Sequence, residues 1–203
     1  QHLDAVLKVR NRFCRPDGTI TYRLQPCQQI LCTAPHLRAQ FHATDRCGLH
    51  QHADEARRVF GMSYESRVKS DRYLVHMEPL GVVAAFVPWN FPLLLLARKM
   101  APALAAGNTL VIRPSSEAAG STMALIKCFE DAGFPKGVVN LVIGRPAEIT
   151  PTIMNDSRVA KVSFTGSVPI GRQIVEQSAI TLKRVSMELG RPCASDCAFR
   201  CRH

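Results

Sequence analysis

Two side chains in this sequence are of a type and setting to manage developing charge and a proton: Asn90, within Pro88-Trp89-Asn90-Phe91-Pro92, and Glu188, within Met187-Glu188-Leu189-Gly190. An amide held between two prolines can aim its N–H at charge that appears only in a transition state, a contribution of about 3–4 kcal/mol. The same asparagine could instead satisfy backbone groups of its loop. A glutamate serves as a general base when burial raises its pKa toward neutrality; at an open strand end it is merely solvated. A third segment, Phe164-Thr165-Gly166-Ser167-Val168-Pro169-Ile170-Gly171, offers small residues and free backbone N–H groups where a strand turns into a helix. Such a terminus favours a pyrophosphate through its geometry and dipole. It is not the six-residue glycine fingerprint of ordinary dinucleotide folds, and glycines at turns also serve conformation alone. The fourth segment is Ile112-Arg113-Pro114-Ser115-Ser116, whose arginine could grip a phosphate bidentately. Its bland alternative is a surface arginine followed by a helix-capping serine.

The elements that must position these residues follow from hydrophobic periodicity. From Leu80 onward, short apolar β-rich runs alternate with amphipathic stretches, the pattern of βαβ units around a parallel sheet. Strands are expected at 80–87, 109–113, 138–143, 161–165 and 184–189. Helices are expected at 91–106, with Pro92 in the first turn and Gly107-Asn108 beyond the end, and at 116–132, stopped by Gly133 and Pro135. Two more are expected at 147–154 and 169–178. Five strands and four crossovers describe one open, right-handed wound sheet, with Asn90 at its carboxyl edge, where ligands of such folds bind. Residues 1–51 hold neither period for long and receive no fold; 52–190 form the expected domain, and 191–203 an unassigned tail.

Taken in order, Ala56 to Phe60, the pentapeptide around Asn90, Gly137-Val-Val-Asn-Leu-Val-Ile-Gly144, Phe164 to Gly171 and Met187 to Gly190 resemble the aldehyde dehydrogenase superfamily over roughly 140 residues. The resemblance implies an α/β fold, a truncated form of that superfamily's cofactor domain with an open parallel Rossmann-like sheet and helices on both faces. It also implies NAD(P)-dependent oxidation of an aldehyde to an acid through a cysteine thioester. Asn90 would then donate to the oxygen of the tetrahedral thiohemiacetal, and Glu188 would deprotonate water. The cofactor shell would comprise Phe86, Val87, Pro88, Trp89, Arg113, Ser115, Ser116, Gly144, Phe164, Gly166, Ser167, Ile170, Gly171, Leu189 and Gly190. Within it, Ser167 would lie near phosphate, with Phe164 and Ile170 along the adenosine. Most members of the superfamily carry lysine where Arg113 stands, and many carry glutamate where Ser116 stands. Glutamate repels a 2′-phosphate and serine does not, so NADP is expected to be accepted beside NAD, or preferred. The superfamily's nucleophilic cysteine comes well beyond this point, and thirteen residues follow Gly190 here. The chain as written is therefore expected to lack the nucleophile and to be inactive alone, and the aldehyde cannot be named.

The formal charge of +10 would ordinarily suggest a polyanion partner. Its distribution argues otherwise, since residues 52–190 carry 16 basic and 12 acidic residues, and the other 64 carry 10 and 4. Cysteine divides in the same way, with only Cys128 in the middle. No basic, aromatic-rich stretch or nucleic-acid motif supports a nucleic-acid partner, and no apolar run reaches the roughly 18 residues that a membrane span needs. With no secretion signal, a cytoplasmic location is expected. The spacing of Cys193, Cys197 and Cys201 matches no common zinc site, so no metal is expected. Arg191 replaces the superfamily's second glycine, and nine arginines but one lysine lie outside the middle; a shifted reading frame would account for both. The partner expected is a small aldehyde, with the complete enzyme a homo-oligomer. A non-catalytic nucleotide-binding module is the other reading, and a basic nucleic-acid-binding protein ranks below it.

Overall fold

The computed structural model describes His52, residues 55–59 and residues 61–190. The readings of 1–51 and 191–203, their cysteines and reading frame included, lie outside these residues. A short 3-10 turn, Ala56–Arg58, leads into an antiparallel hairpin of β1 (Met62–Glu65) and β2 (Arg72–Val75). The sequence reading did not include this hairpin. All eight of its residues are exposed, so no apolar-polar alternation marks it.

The remaining elements alternate strictly. They are β3 (Val82–Val87), α1 (Pro92–Ala105), β4 (Thr109–Pro114), α2 (Ala119–Asp131), β5 (Val139–Leu141), α3 (Pro146–Asn155), β6 (Val159–Ser167), α4 (Val168–Ile180) and β7 (Arg184–Gly190). The five strands from β3 to β7 pair in parallel in the order β5-β4-β3-β6-β7. Chain order therefore runs outward from β3 to one edge, returns to β6 beside β3, and runs out to the other. This is the doubly wound arrangement, with its switch point between β3 and β6.

The alternation of side chains along a strand builds two cores from one sheet. Val83, Ala85 and Val87 of β3, with Leu110 and Ile112 of β4, pack under α1 and α2 against Leu96, Met100, Leu125 and Phe129. Val82, Ala84 and Phe86, with Val111, Val162 and Phe164, pack on the other face against Ile153, Met154 and Ile174 of α3 and α4. All six residues of β3 are buried, as a central strand covered on both faces requires.

The expected elements are all present, and the differences lie at their ends. A 3-10 turn, Ser116–Ala118, precedes α2 where one continuous helix was expected. β6 is longer than expected by two residues at each end, because its flanks find backbone partners in β3 and β7 that no local pattern reveals. Among the described residues, no helix is long and apolar enough to cross a membrane, and no group of three His, Cys, Asp or Glu is placed to hold a metal.

Candidate functional site

A cavity of about 220 Å³ opens at the carboxyl edge of the sheet, at the switch point. Three strands and two helices build it. The end of β3 supplies Phe86 and Val87, followed by Pro88 and Trp89; β4 supplies Arg113, followed by Ser115; β6 supplies Phe164, Thr165 and Gly166. Pro146 and Thr150 of α3, and Ile170 and Ile174 of α4, close the other side. Each helical pair is four residues apart and so presents a single helix face. Phe86 and Phe164 sit side by side with their rings tilted by 58° and centroids 6.5 Å apart. Gly166 is required where it stands, because a Cβ there would lie 2.5 Å from Cζ of Phe164. Gly144, which opens the turn into α3, has φ +155, a conformation that L side chains rarely adopt.

Nine of the expected cofactor residues line this cavity: Phe86, Val87, Pro88, Trp89, Arg113, Ser115, Phe164, Gly166 and Ile170. Ser116, Gly144, Ser167, Gly171, Leu189 and Gly190 do not line it. Ser116 is exposed in the 3-10 turn, one residue past the wall. Ser167 and Gly190 are exposed partners at the ends of β6 and β7, and Leu189 pairs with Gly166 one step before them. Gly171 is buried under Leu189, whose Cδ2 would lie 2.5 Å from a Cβ at that position. Pro146, Thr150, Thr165 and Ile174 are wall residues that the sequence reading did not include. The four-residue spacing from Ile170 could have flagged Ile174, whereas only the tertiary fold brings α3 to the site.

The polar groups of the wall differ in how far they are already engaged. Ser115 Oγ donates to Glu117 Oε2 at 2.5 Å, and Thr165 Oγ1 donates to Glu188 Oε2 at 2.6 Å. Arg113 is half-buried, and its Nε is sealed from solvent without an acceptor. Burial lowers its pKa, and no carboxylate among the described residues offsets that cost. A guanidinium in this state favours an anionic or acceptor-bearing ligand. With two phenylalanines, two isoleucines and two prolines around it, the wall suits an apolar ring system bearing a polar sugar or phosphate.

Neither Asn90 nor Glu188 is among the residues that line this cavity. Asn90 is exposed at the entry to α1, and Glu188 lies two residues before the end of β7, opposite Thr165 of β6. Glu188 is linked to α1 by Lys99, whose Nζ donates to Ser163 Oγ at 3.1 Å and reaches Glu188 Oε2 at 3.5 Å. The Lys99 side chain is 2% exposed and that of Glu188 50%. The condition attached to Glu188 as a base, a pKa raised by burial, is not met. The Thr165 hydroxyl foremost, and then the charge of Lys99, hold its carboxyl below the usual range, outweighing the upward push of burial. Lys99 is itself held below the ordinary lysine value, mainly by burial, against the opposing pull of Glu188. Lys99 was also missed from sequence, although it lies three residues after Leu96 and four before Ala103, on the buried stripe of α1. A lysine on an apolar stripe is a signal for a buried partner.

This pair yields a testable expectation. In the chain labelled with 13C-glutamate and followed by NMR against pH, Thr165→Val should raise the Glu188 pKa, and Lys99→Met should raise it by less. The lowered value means that the contribution of Glu188 to stability is present above the usual carboxylate range and is lost as pH falls through the folded value. Both variants should therefore lose less stability on acidification than the parent chain. An unchanged Glu188 pKa in Thr165→Val would show that the hydroxyl does not hold the carboxylate.

Comparison with known proteins gives the family to which this fold and its switch-point cavity belong. The family model described as the aldehyde dehydrogenase family matches residues 38–192, more than half of the chain. The chain belongs to the aldehyde dehydrogenase family. It is 44% identical over 138 residues to glutarate-semialdehyde dehydrogenase of Pseudomonas putida, and 43% identical over 138 residues to succinate-semialdehyde dehydrogenase [NADP(+)] of Escherichia coli. Each match covers 68% of this chain and 29% of the relative, so the chain spans less than a third of the length of these curated family members. Among solved structures it superposes on betaine aldehyde dehydrogenase of Staphylococcus aureus in complex with NAD+. That match has a TM-score of 0.79 and 28% identity, and covers 92% of this chain and 41% of the other. It also superposes on PnpE in complex with nicotinamide adenine dinucleotide, with a TM-score of 0.80 and 32% identity.

Proposed function

We propose that this chain is the cofactor-binding part of an enzyme that oxidises an aldehyde to a carboxylic acid with NAD(P). The observation that carries the reading is the switch-point cavity, whose largely apolar wall includes Arg113, a half-buried guanidinium with no carboxylate beside it among the described residues. In this reading the adenosine half of the cofactor would occupy the cavity, where Phe86, Phe164 and Ile170 supply apolar wall. The cofactor, when bound, supplies the acceptor for the hydride of the substrate. Asn90 directs its amide N–H to the oxygen that gains charge, where a fixed dipole is most effective. Glu188, ionised and held by Thr165, takes a proton from water once it leaves that hydroxyl. Its low pKa limits its strength as a base while it is held there, so release from Thr165 is the step that activates it. In the ordinary family mechanism a cysteine is the nucleophile, and the segment that carries it lies beyond residues 52–190. The described residues by themselves are accordingly proposed to bind cofactor without turnover. A cytoplasmic location and a homo-oligomeric complete enzyme belong to the same reading.

The cofactor is proposed to be NADP in preference to NAD. Arg113 supports this, because a 2′-phosphate would give its guanidinium the charged acceptor that the protein does not. Ser116 supports it only by lacking a negative charge, since it stands outside the wall. Calorimetric titration of the full chain should show saturable binding of both nucleotides, tighter for NADP. Arg113→Met should reduce NADP affinity by roughly tenfold or more while NAD falls less. Equal binding of the two nucleotides by the parent chain would remove the NADP preference, and no binding of either would remove the cofactor reading.

A further inference from the structure

Besides the largely exposed Trp89 with its indole N–H, four polar side chains belong to the cavity wall: Arg113, Ser115, Thr150 and Thr165. Two are committed, Ser115 to Glu117 and Thr165 to Glu188, each as donor to a carboxylate. Arg113 and Thr150 remain. Thr152, the next threonine of α3, turns its hydroxyl back onto the carbonyl of Glu148, as helical threonines commonly do. Thr150 makes no corresponding bond to its own helix, and its half-buried side chain borders the cavity. A largely apolar cavity thus has a guanidinium from β4 and an uncommitted hydroxyl from α3 among its wall residues. Neutral sugar hydroxyls can be served by either group alone. A phosphate has several acceptor oxygens and is best held by donors arriving from more than one element.

We propose that Thr150 is a cofactor-specificity residue, whose hydroxyl joins Arg113 in binding the 2′-phosphate of NADP. The inference rests on the reading of this cavity as the NAD(P) site. It shifts the discrimination between the two cofactors from Ser116, outside the wall, to the first turns of α3. Glycine at 144, with its φ of +155, and Pro146 in the first turn fix where that helix starts, and Thr150 follows Pro146 on the same face. The recognition is therefore built on a helix rather than on a loop.

The test compares the full parent chain with Thr150→Val and Thr150→Ser by calorimetric titration with NADP, NAD, adenosine 2′-monophosphate and adenosine. Valine keeps the size of threonine and removes only the hydroxyl, so the variant should melt within a few degrees of the parent. Expected for Thr150→Val is about tenfold weaker binding of NADP and of adenosine 2′-monophosphate, with NAD and adenosine unchanged within about twofold. Thr150→Ser should restore most of the loss. Equal weakening of NADP and NAD would reduce Thr150 to a packing residue of the wall, and unchanged NADP affinity would exclude the contact; either overturns the inference while leaving the cofactor site standing. Failure of the parent chain to bind NADP or NAD at all overturns the cofactor reading and this inference with it.

Discussion

Replacing Gly166 with alanine should weaken NAD(P) binding by roughly tenfold or more, with a much smaller effect on the melting temperature. The added Cβ would lie 2.5 Å from Cζ of Phe164, with two further ring carbons at 3.1 and 3.2 Å. Real carbon contacts are not that short, so the ring must move. Phe164 is 7% exposed and packs beside Phe86 and within the core under α3 and α4. Protein on that side is close-packed and yields little, whereas the cavity is empty space that the same ring already borders. The ring therefore moves into the volume proposed for the adenosine. A ring displaced toward the cavity narrows the space left for a nucleotide base. Stability changes little, because an apolar ring entering an apolar cavity keeps most of its burial. Titration calorimetry and a thermal melt on the same variant separate the two effects. Parent-like affinity in a folded Gly166→Ala chain would show that the cavity is not where nucleotide binds.

Ile112→Ala should cost about 2–5 kcal/mol of unfolding free energy, the range for truncating a fully buried isoleucine. Ile112 is 0% exposed and lies in β4, paired with Ala85 of β3 and Leu141 of β5, under the α1–α2 layer. Neighbours on both sides are held by strand pairing, so the void cannot close by local collapse. Against a total stability of about 5–15 kcal/mol for an ordinary domain, this loss brings the chain near unfolding. It also loosens the strand that carries Arg113 into the cavity, so nucleotide affinity should fall with stability and recover as temperature is lowered toward the stability maximum. Urea titration would show a lower midpoint with little change in slope. A loss below about 1 kcal/mol would mean that Ile112 is not packed in the core under the α1–α2 layer.

Much of the architecture was legible in the residues because local and global preferences agree. Leu80 to Val87 is apolar at every position, as a strand buried on both faces must be, and Gly107-Asn108 and Gly133 mark helix ends through backbone chemistry alone. The hairpin at 62–75 was not legible, since strands exposed on both faces carry no periodic signal. The motif residues around Asn90 and Glu188 were found because they sit at strand ends and follow the order of a known family. That route identifies positions but says nothing of their environment; the raised pKa that a glutamate base calls for was a condition on Glu188, and the structure has a lowered one.

By itself, then, the sequence determined the strand and helix alternation, the doubly wound class and the family. These depend on periods of two and 3.6 residues and on turn chemistry, which are local. Tertiary structure alone decided that Lys99, 89 positions before Glu188, would lie beside it, and that Ser115 and Thr165 would already be occupied while Arg113 and Thr150 are not. It also decided that Ser116 would lie outside the wall of the cavity it was expected to tune. The reason is physical: the charge state and availability of a group depend on burial and on partners brought from distant elements, and neither is written in the spacing of its neighbours.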